Sequence, residues 1–328
     1  MIQGKLLPPL LRRLVYPHLP TRPDVLVAAA VGEDSAVLDF GTSVCVATSD
    51  PITGAVQHIG RLAVHVACND IAATGAEPVA LLLTVLLPPA AGDAEIEAIM
   101  REAGKAASGV GVAIAGGHTE VTARVTHPVV VVAGIGRAAA GGYVHAGGAR
   151  PGEALLLTKA AAIEGTAILA TDLAVELATR LPAEVLERAR RFIDEVSVLP
   201  EGRIAARAGA TAMHDVTEGG VITAVWEMAE ASRCGVELWA DAVPVRAETT
   251  ALCAAVGADP LTLIGSGAML IATAVPARTL AAFEEAGIAA VQIGEMQEED
   301  RTLRRGERRE PLSPPERDEL WRILEQRS

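Results

Sequence analysis

Aromatic residues make up 2% of this 328-residue chain, and lysine occurs only at Lys5, Lys105 and Lys159. With so few rings, the cores must be built from Ala, Val, Leu and Ile. Half of the residues are hydrophobic, which is ample for sizeable cores. Arginine supplies the remaining positive charge, and the formal net charge is −13. That balance argues against non-specific binding to nucleic acid or to anionic membrane, both of which select basic surfaces. It leaves nucleotide binding open, because a few local groups and a metal ion are enough to hold phosphates.

Cysteine is scarce too. Cys45, Cys68, Cys234 and Cys253 include no pair close enough for a metal knuckle. A disulfide framework does not fit a chain this long and this poor in Cys. They read as partly buried free thiols that behave as small hydrophobes. The longest apolar run, Val79 to Leu87, is far too short to span a bilayer. Met1 to Pro23 carries Arg12, Arg13 and five prolines without a continuous apolar stretch, so no secretory signal is expected and a cytoplasmic protein follows. A Walker A loop is absent. Gly134-Ile135-Gly136 supplies only the first half of a dinucleotide-binding fingerprint.

What is present alternates between strand-like and helix-like segments. Val25 to Val31, Ala36 to Phe40 and Val44 to Thr48 read as short strands. His58 to Thr74 carries Ile59, Leu62, Ala63, Val66 and Ile71 at helical spacing. Val79 to Leu87 reads as a buried strand closed by Pro88-Pro89. Asp93 caps a helix to Ser108. Val112 to Ala115 and Pro128 to Gly136 read as strands. Ala138 to Pro151 is rich in Gly and Ala, and length alone suggests two domains, so the division is placed near residue 148. The expected units are 1–148 and 149–328. In the second, Ala154 to Thr158, Thr211 to His214, Gly267 to Ala274 and Ala289 to Ile293 read as strands. Helices are expected over Thr166 to Leu181, Pro182 to Glu195 and Gly219 to Arg233. Pro315 to Gln326 reads as a charged, solvated terminal helix. The class is α/β or α+β in both halves.

The chemistry lies in short polar segments next to predicted strands. They are Gly32-Glu33-Asp34-Ser35-Ala36, Thr48-Ser49-Asp50-Pro51, Asn69-Asp70 through Gly75-Ala76, Gly116-Gly117-His118-Thr119-Glu120, and His214-Asp215-Val216-Thr217-Glu218-Gly219-Gly220. Asp70 stands out because its neighbours Val66, Ala67, Ile71 and Ala72 are apolar. A carboxylate at that depth is unfavourable unless it is paired or binds a metal. Magnesium prefers a few carboxylates together with phosphate oxygens and water, which Asp34, Asp50, Asp70 and Asp215 could supply. Gly116-Gly117 and Gly219-Gly220 allow close approach to a phosphate, and the second pair opens a helix whose N-terminus favours anions. Taken singly, each Asp reads more readily as a turn or helix cap than as a ligand.

The order of the segments resembles the aminoimidazole ribonucleotide synthetase superfamily, and N-D-x-A-A-x-G-A-x-P is the most specific piece. The likeness runs from about Gly32 to Gly294. It implies a PurM-like fold of two mixed α/β domains. The N-terminal domains of two copies would pair into a β-barrel, giving a homodimer that binds ATP and magnesium. It implies that Asp34, Asp50, Asp70 and Asp215 form the metal group. It further implies that Ser49, Asn69, Gly116, Gly117, Thr119, Glu120, Thr217 and Glu218 face the nucleotide. His118 and His214 suit proton transfer, with a structural hydrogen bond as the other reading of each. Lys159 reads either as a point charge for phosphate or as a solvated loop lysine.

Asp215 to Gly220 and Leu157 to Thr166 most resemble hydrogenase-maturation members of the HypE type. Those members dehydrate a carbamoylated C-terminal cysteine with ATP, and this sequence has no cysteine after Cys253. The resemblance therefore implies an ATP- and magnesium-dependent enzyme that phosphorylates an amide, carboxamide or similar oxygen. The acceptor would be a small molecule or a maturation partner protein. The alternative is a non-catalytic nucleotide-binding accessory protein in metallocentre maturation.

Overall fold

The computed structural model describes residues 8–14, 16–18, 23–53 and 57–327. Lys5 lies outside the described residues.

The chain opens with α1 (Pro8–Leu14), then β1 (Val25–Val27), β2 (Ala36–Asp39) and β3 (Ser43–Ile52). It continues through α2 (Ile59–Ala72), β4 (Glu77–Leu87), α3 (Asp93–Val110), β5 (Ala113–Val121) and β6 (Val129–Ala139). The six strands form one sheet in the order β1-β2-β3-β6-β4-β5. Only β4 and β5 run parallel, because α3 provides the crossover that parallel neighbours require. Helices α2 and α3 bury one face of this sheet. Ile59, Val64 and Ala67 of α2 and Ile99 and Ala103 of α3 pack on Leu81, Leu83, Val85, Val130 and Val132. The residues of α2 recur at helical spacing, and those of β4 at every second position.

A second series follows. It comprises β7 (Ala154–Thr158), α4 (Ile163–Asp172), α5 (Ala174–Leu177), α6 (Ala183–Arg190), α7 (Leu199–Ala208), β8 (Ala210–Asp215) and α8 (Gly220–Ser232). Then come β9 (Gly235–Trp239), α9 (Ala247–Val256), β10 (Met269–Thr273), α10 (Pro276–Glu285) and β11 (Ala290–Gln297), and the series closes with β12 (Arg301–Arg305), β13 (Arg308–Pro311) and α11 (Glu319–Glu325). Seven strands make a sheet in the order β13-β12-β9-β11-β7-β10-β8. Both faces are covered. Leu155 and Leu157 of β7 join Val221, Val225 and Met228 of α8, while Leu156 between them joins Ala205 of α7 and Phe283 of α10. That alternation is why the Leu-rich β7 has no polar face. A further cluster gathers α4, α6, α9 and α11 around Leu169, Leu186, Leu252, Leu320 and Ile323.

The mixed α/β class stands, and several boundaries move. The expected helix over Thr166–Leu181 begins earlier, at Ile163, and breaks at Leu173. The strand expected to end at Ala115 runs on to Val121, so Gly116 to Glu120 is part of β5 rather than a loop after it. A side chain at Gly117 would place its Cβ 1.8 Å from the Leu83 carbonyl oxygen, so the parallel pairing with β4 needs glycine there. Likewise β3 extends through Ile52 and contains Thr48, Ser49 and Asp50. The expected solvated helix at Pro315–Gln326 is corrected. Leu320, Trp321 and Ile323 of α11 are buried, because its apolar residues complete the α4–α6–α9 cluster while its charges face out.

Candidate active site

Strand β2 pairs only with Val44 to Ala47 of β3. Among the described residues, Thr48 to Ile52 therefore have no strand neighbour on that side, and this edge forms one wall of a cleft between the two sheets. Pro51 is tolerated there because no ladder hydrogen bond is required of it. The cleft has a volume of about 590 Å³. Asp34, Ser49, Asp50 and Asp70 line it from one side, and Asp215, Thr217 and Glu218 from the other. Seven residues marked in the sequence thus meet here from four separate segments.

Asp70 is 6% exposed, on a turn of α2 whose other residues are in the core. Thr48 Oγ1 donates to Asp70 Oδ2 and lies 3.0 Å from Asp50 Oδ2. Burial raises the pKa of Asp70 well above the carboxylate range, and the charges of Asp50, Asp215 and Asp34 raise it further. Four carboxylates held within electrostatic reach of one another repel. A divalent cation removes that repulsion, and an all-oxygen donor set fits a hard ion such as magnesium. Ligand atoms of Asp34, His214 and Asp215 also lie within 4.8 Å of one another.

His214 sits behind this group, 1% exposed. Its Nδ1 lies 3.2 Å from Asp34 Oδ1 and 2.7 Å from the Asp215 carbonyl oxygen, and its Nε2 lies 3.2 Å from Glu227 Oε2. Burial disfavours its charge, yet Asp34, Glu227 and Asp215 outweigh burial and raise it to about 9. The ring is a buried imidazolium that fixes Asp34 rather than a group on the cleft surface.

Other expected residues are placed elsewhere. Asn69 points away from the cleft. Its Nδ2 donates to the Val196 carbonyl at 2.8 Å, and its Oδ1 accepts from the Val198 N–H at 2.9 Å, so it joins α2 to the segment before α7. Lys159 lies outside the cleft lining and is paired rather than solvated. Its Nζ lies 2.8 Å from Glu201 Oε1 and donates to the carbonyls of Glu195 and Ser197. The ammonium is drawn inward because Glu201 is 1% exposed and needs a counter-charge. Gly116, Gly117, His118, Thr119 and Glu120 lie on β5 at the exposed edge of the first sheet. His118 and Glu120 contact each other at 3.5 Å there, outside the cleft lining.

The cleft also contains groups that local sequence did not mark. Glu164 and Ser266 line its wall. So do Leu320 and Trp321 of α11, and Trp321 Nε1 donates to Glu218 Oε1 at 3.0 Å. The N-terminus of α8 is already occupied by a carboxyl group, since Asp318 Oδ2 accepts from the Gly219 N–H at 2.5 Å. Glu164 sits inside the Leu157–Thr166 segment, but nothing in its spacing distinguishes it from a first-turn helix acid.

This chain, with its two α/β units, belongs to the AIR synthase related proteins. Residues 32–138 match the N-terminal domain of AIR synthase related proteins, and residues 150–305 match the C-terminal domain. Within the family the chain stands close to the HypE type. It is 30% identical over 245 residues to a Methanocaldococcus jannaschii protein named for hydrogenase expression and formation, covering 73% of this chain and 71% of the relative. It is also 30% identical over 248 residues to carbamoyl dehydratase HypE of Rhodobacter capsulatus, covering 75% and 70%. The fold superimposes on that of HypE in complex with ATP, with a TM-score of 0.68 at 24% identity, over 95% of this chain and 96% of that one.

Proposed function

We propose that this chain is an enzyme that uses ATP with magnesium to phosphorylate the oxygen of an amide, carboxamide or similar acceptor. The observation that carries the reading is the convergence of Asp34, Asp50, Asp70 and Asp215 on one cleft, with Asp70 buried among them. No fold-stabilising reason calls for four mutually repelling carboxylates. Magnesium, when bound, would neutralise phosphate charge and bring the transferable phosphoryl group within reach of the acceptor. The four aspartates would hold it, with Ser49, Thr217 and Glu218 facing the phosphates. His214 keeps Asp34 oriented as an acceptor. Phosphoryl transfer depends mainly on positioning and charge neutralisation, which this constellation supplies.

The relatives named as a carbamoyl dehydratase and for hydrogenase formation support an acceptor that carries a carbamoyl group, either free or on a maturation partner protein. In this reading residues 1–148 and 149–328 are the two units that close on the cleft. Val79, Leu82, Val121 and Ile135 leave the sheet face opposite α2 and α3 partly exposed, and we assign that face and the β5 edge to a second copy of the chain. Gly116 to Glu120, including His118, would then stand at the seam. Among the described residues, no helix is long and apolar enough to cross a membrane.

The test is ADP release by the purified protein with ATP and magnesium, with and without a carbamoyl compound. Stimulation by the carbamoyl compound is expected. Hydrolysis that no carbamoyl or amide compound stimulates would contradict the reading.

A further inference from the structure

The metal–phosphate reading leaves Glu164 without a task. Its position is tightly determined. Helix α4 begins against the segment before β10, where the Gly165 N–H donates to the Ile264 carbonyl at 3.0 Å. A side chain at Gly165 would put its Cβ 2.5 Å from Leu263 Cγ, so the approach requires glycine. One residue further on, the Gly265 N–H donates to the Thr217 carbonyl at 3.2 Å. A Cβ at Gly265 would lie 2.7 Å from Val216 Cγ1. Two glycines thus let the start of α4, the segment before β10 and the Asp215–Glu218 turn close on one another. Glu164, Ser266 and Asp215 are brought to a common wall.

Glu164 is 4% exposed and Ser266 1%. Both line the cleft, and Glu164 Oε2 has no hydrogen-bond partner among the described residues. A buried polar atom without a partner is destabilising by about 1–3 kcal/mol, and folded proteins keep few of them. A purely structural Glu in a first helical turn would bond the turn's own N–H groups and become a stronger acid. Glu164 does the opposite. Burial raises it to about 7, Asp215 and Glu218 add to the rise, and the hydroxyl and N–H of the adjacent Ser266 hold it down.

We propose that Glu164 is a catalytic base, taking the proton that the acceptor's nitrogen gives up as its carbonyl oxygen is phosphorylated, with Ser266 holding the carboxylate in line. The inference rests on the amide-phosphorylation reading given above. The balance is complete without a further reactant. The phosphoryl group passes from ATP to the oxygen of –C(=O)–NH2, one N–H bonding pair becomes the C=N bond, and that proton moves to Glu164 Oε2. The products are –C(OPO3)=NH and ADP. If the C–O bond then breaks, the second N–H proton leaves with the departing phosphate and a nitrile remains. An acceptor phosphorylated at a hydroxyl would need no base at the nitrogen side of the cleft.

The test uses the full chain with ATP, magnesium and S-ethyl thiocarbamate as the probe acceptor, with ADP release as the readout. Glu164→Gln is expected to lower kcat by about 100-fold or more, the usual contribution of a general base. Its affinity for ATP with magnesium should stay within about twofold of wild type, as titration calorimetry would show. Glu164→Ala should regain turnover when formate is added and none when chloride is added, because formate can occupy the vacated carboxylate position. Wild type that turns over the probe together with an equally active Glu164→Gln would overturn the assignment of Glu164 alone. So would Glu164→Ala that binds ATP normally and ignores formate. Wild type inert toward S-ethyl thiocarbamate, and toward acetamide assayed in the same way as a second acceptor, would overturn the amide reading, and this assignment with it.

Discussion

The indole N–H of Trp321 donates to Glu218 Oε1 at 3.0 Å, so helix α11 fixes an acidic side chain that enters the cleft from the β8–α8 turn. Three residues earlier, Asp318 anchors the same turn through the Gly219 N–H. The two contacts make the C-terminal segment part of the site wall. Replacing Trp321 with Phe keeps the ring and removes the donor. A hydrogen bond to a charged group contributes about 1.5–3 kcal/mol, so the melting temperature should fall by a few degrees and magnesium-dependent ATP turnover by about tenfold. Unchanged turnover in Trp321→Phe would show that Glu218 does not depend on α11.

Asn69 is expected to act on stability rather than on nucleotide binding. Asn69→Leu leaves the Val196 carbonyl and the Val198 N–H buried and unpaired. Each of the two orphaned groups is destabilising by about 1–3 kcal/mol, so urea denaturation should show a loss of about 2–6 kcal/mol. An unchanged urea midpoint would rule out the bridging role.

Lys159 allows a sharper comparison. Lys159→Met strands Glu201 in the core without its counter-charge. Removing one partner of a buried ion pair is destabilising by about 3–5 kcal/mol. Adding Glu201→Leu should restore most of that stability. A phosphate-binding lysine would behave differently, since the single change would weaken ATP binding and the second would not rescue it.

The pH dependence of stability has a definite sign. Burial first, and then Asp215 and Glu218, raise Glu164 from the usual 4.5 to about 7 in the folded protein. Between those values the folded state holds a proton that the unfolded chain has released. Stability therefore falls as pH rises from about 4.5 to about 7. Glu164→Gln removes this contribution. Without ligands the variant should match wild type at pH 4 and exceed it at pH 8 by an amount on the order of 1–3 kcal/mol, given about 1.4 kcal/mol per pKa unit. Parallel pH profiles of melting temperature for the two proteins would contradict this.

The sequence made much of the fold legible because its periodicities are strong. The helical spacing in α2 and the apolar run of β4 both follow from one buried face. Asp70 was legible because a carboxylate in an apolar setting calls for a partner, while Asp34, Asp50 and Asp215 joined it only through the order of their segments. What escaped the sequence depends on contacts between distant segments. Glu164 meets Ser266 across about a hundred residues, through two glycine contacts that no local pattern records. Lys159 turns inward because Glu201, on a later helix, is buried. Helix α11 reads as polar along the chain, yet Leu320, Trp321 and Ile323 suffice to dock it. Gly116 to Glu120 looks like a turn because glycine pairs mark turns, and here they admit a close parallel neighbour instead.

The central claim is that the four aspartates form a metal–nucleotide site, and calorimetric titration of ATP tests it most directly. Wild type and Asp70→Asn would each be titrated with and without magnesium. The account predicts magnesium-dependent binding to wild type and strongly weakened binding to Asp70→Asn, whose fold is retained because a buried, repelled carboxylate has been neutralised. Binding that is equal in the two proteins, or equal with and without magnesium, would contradict it.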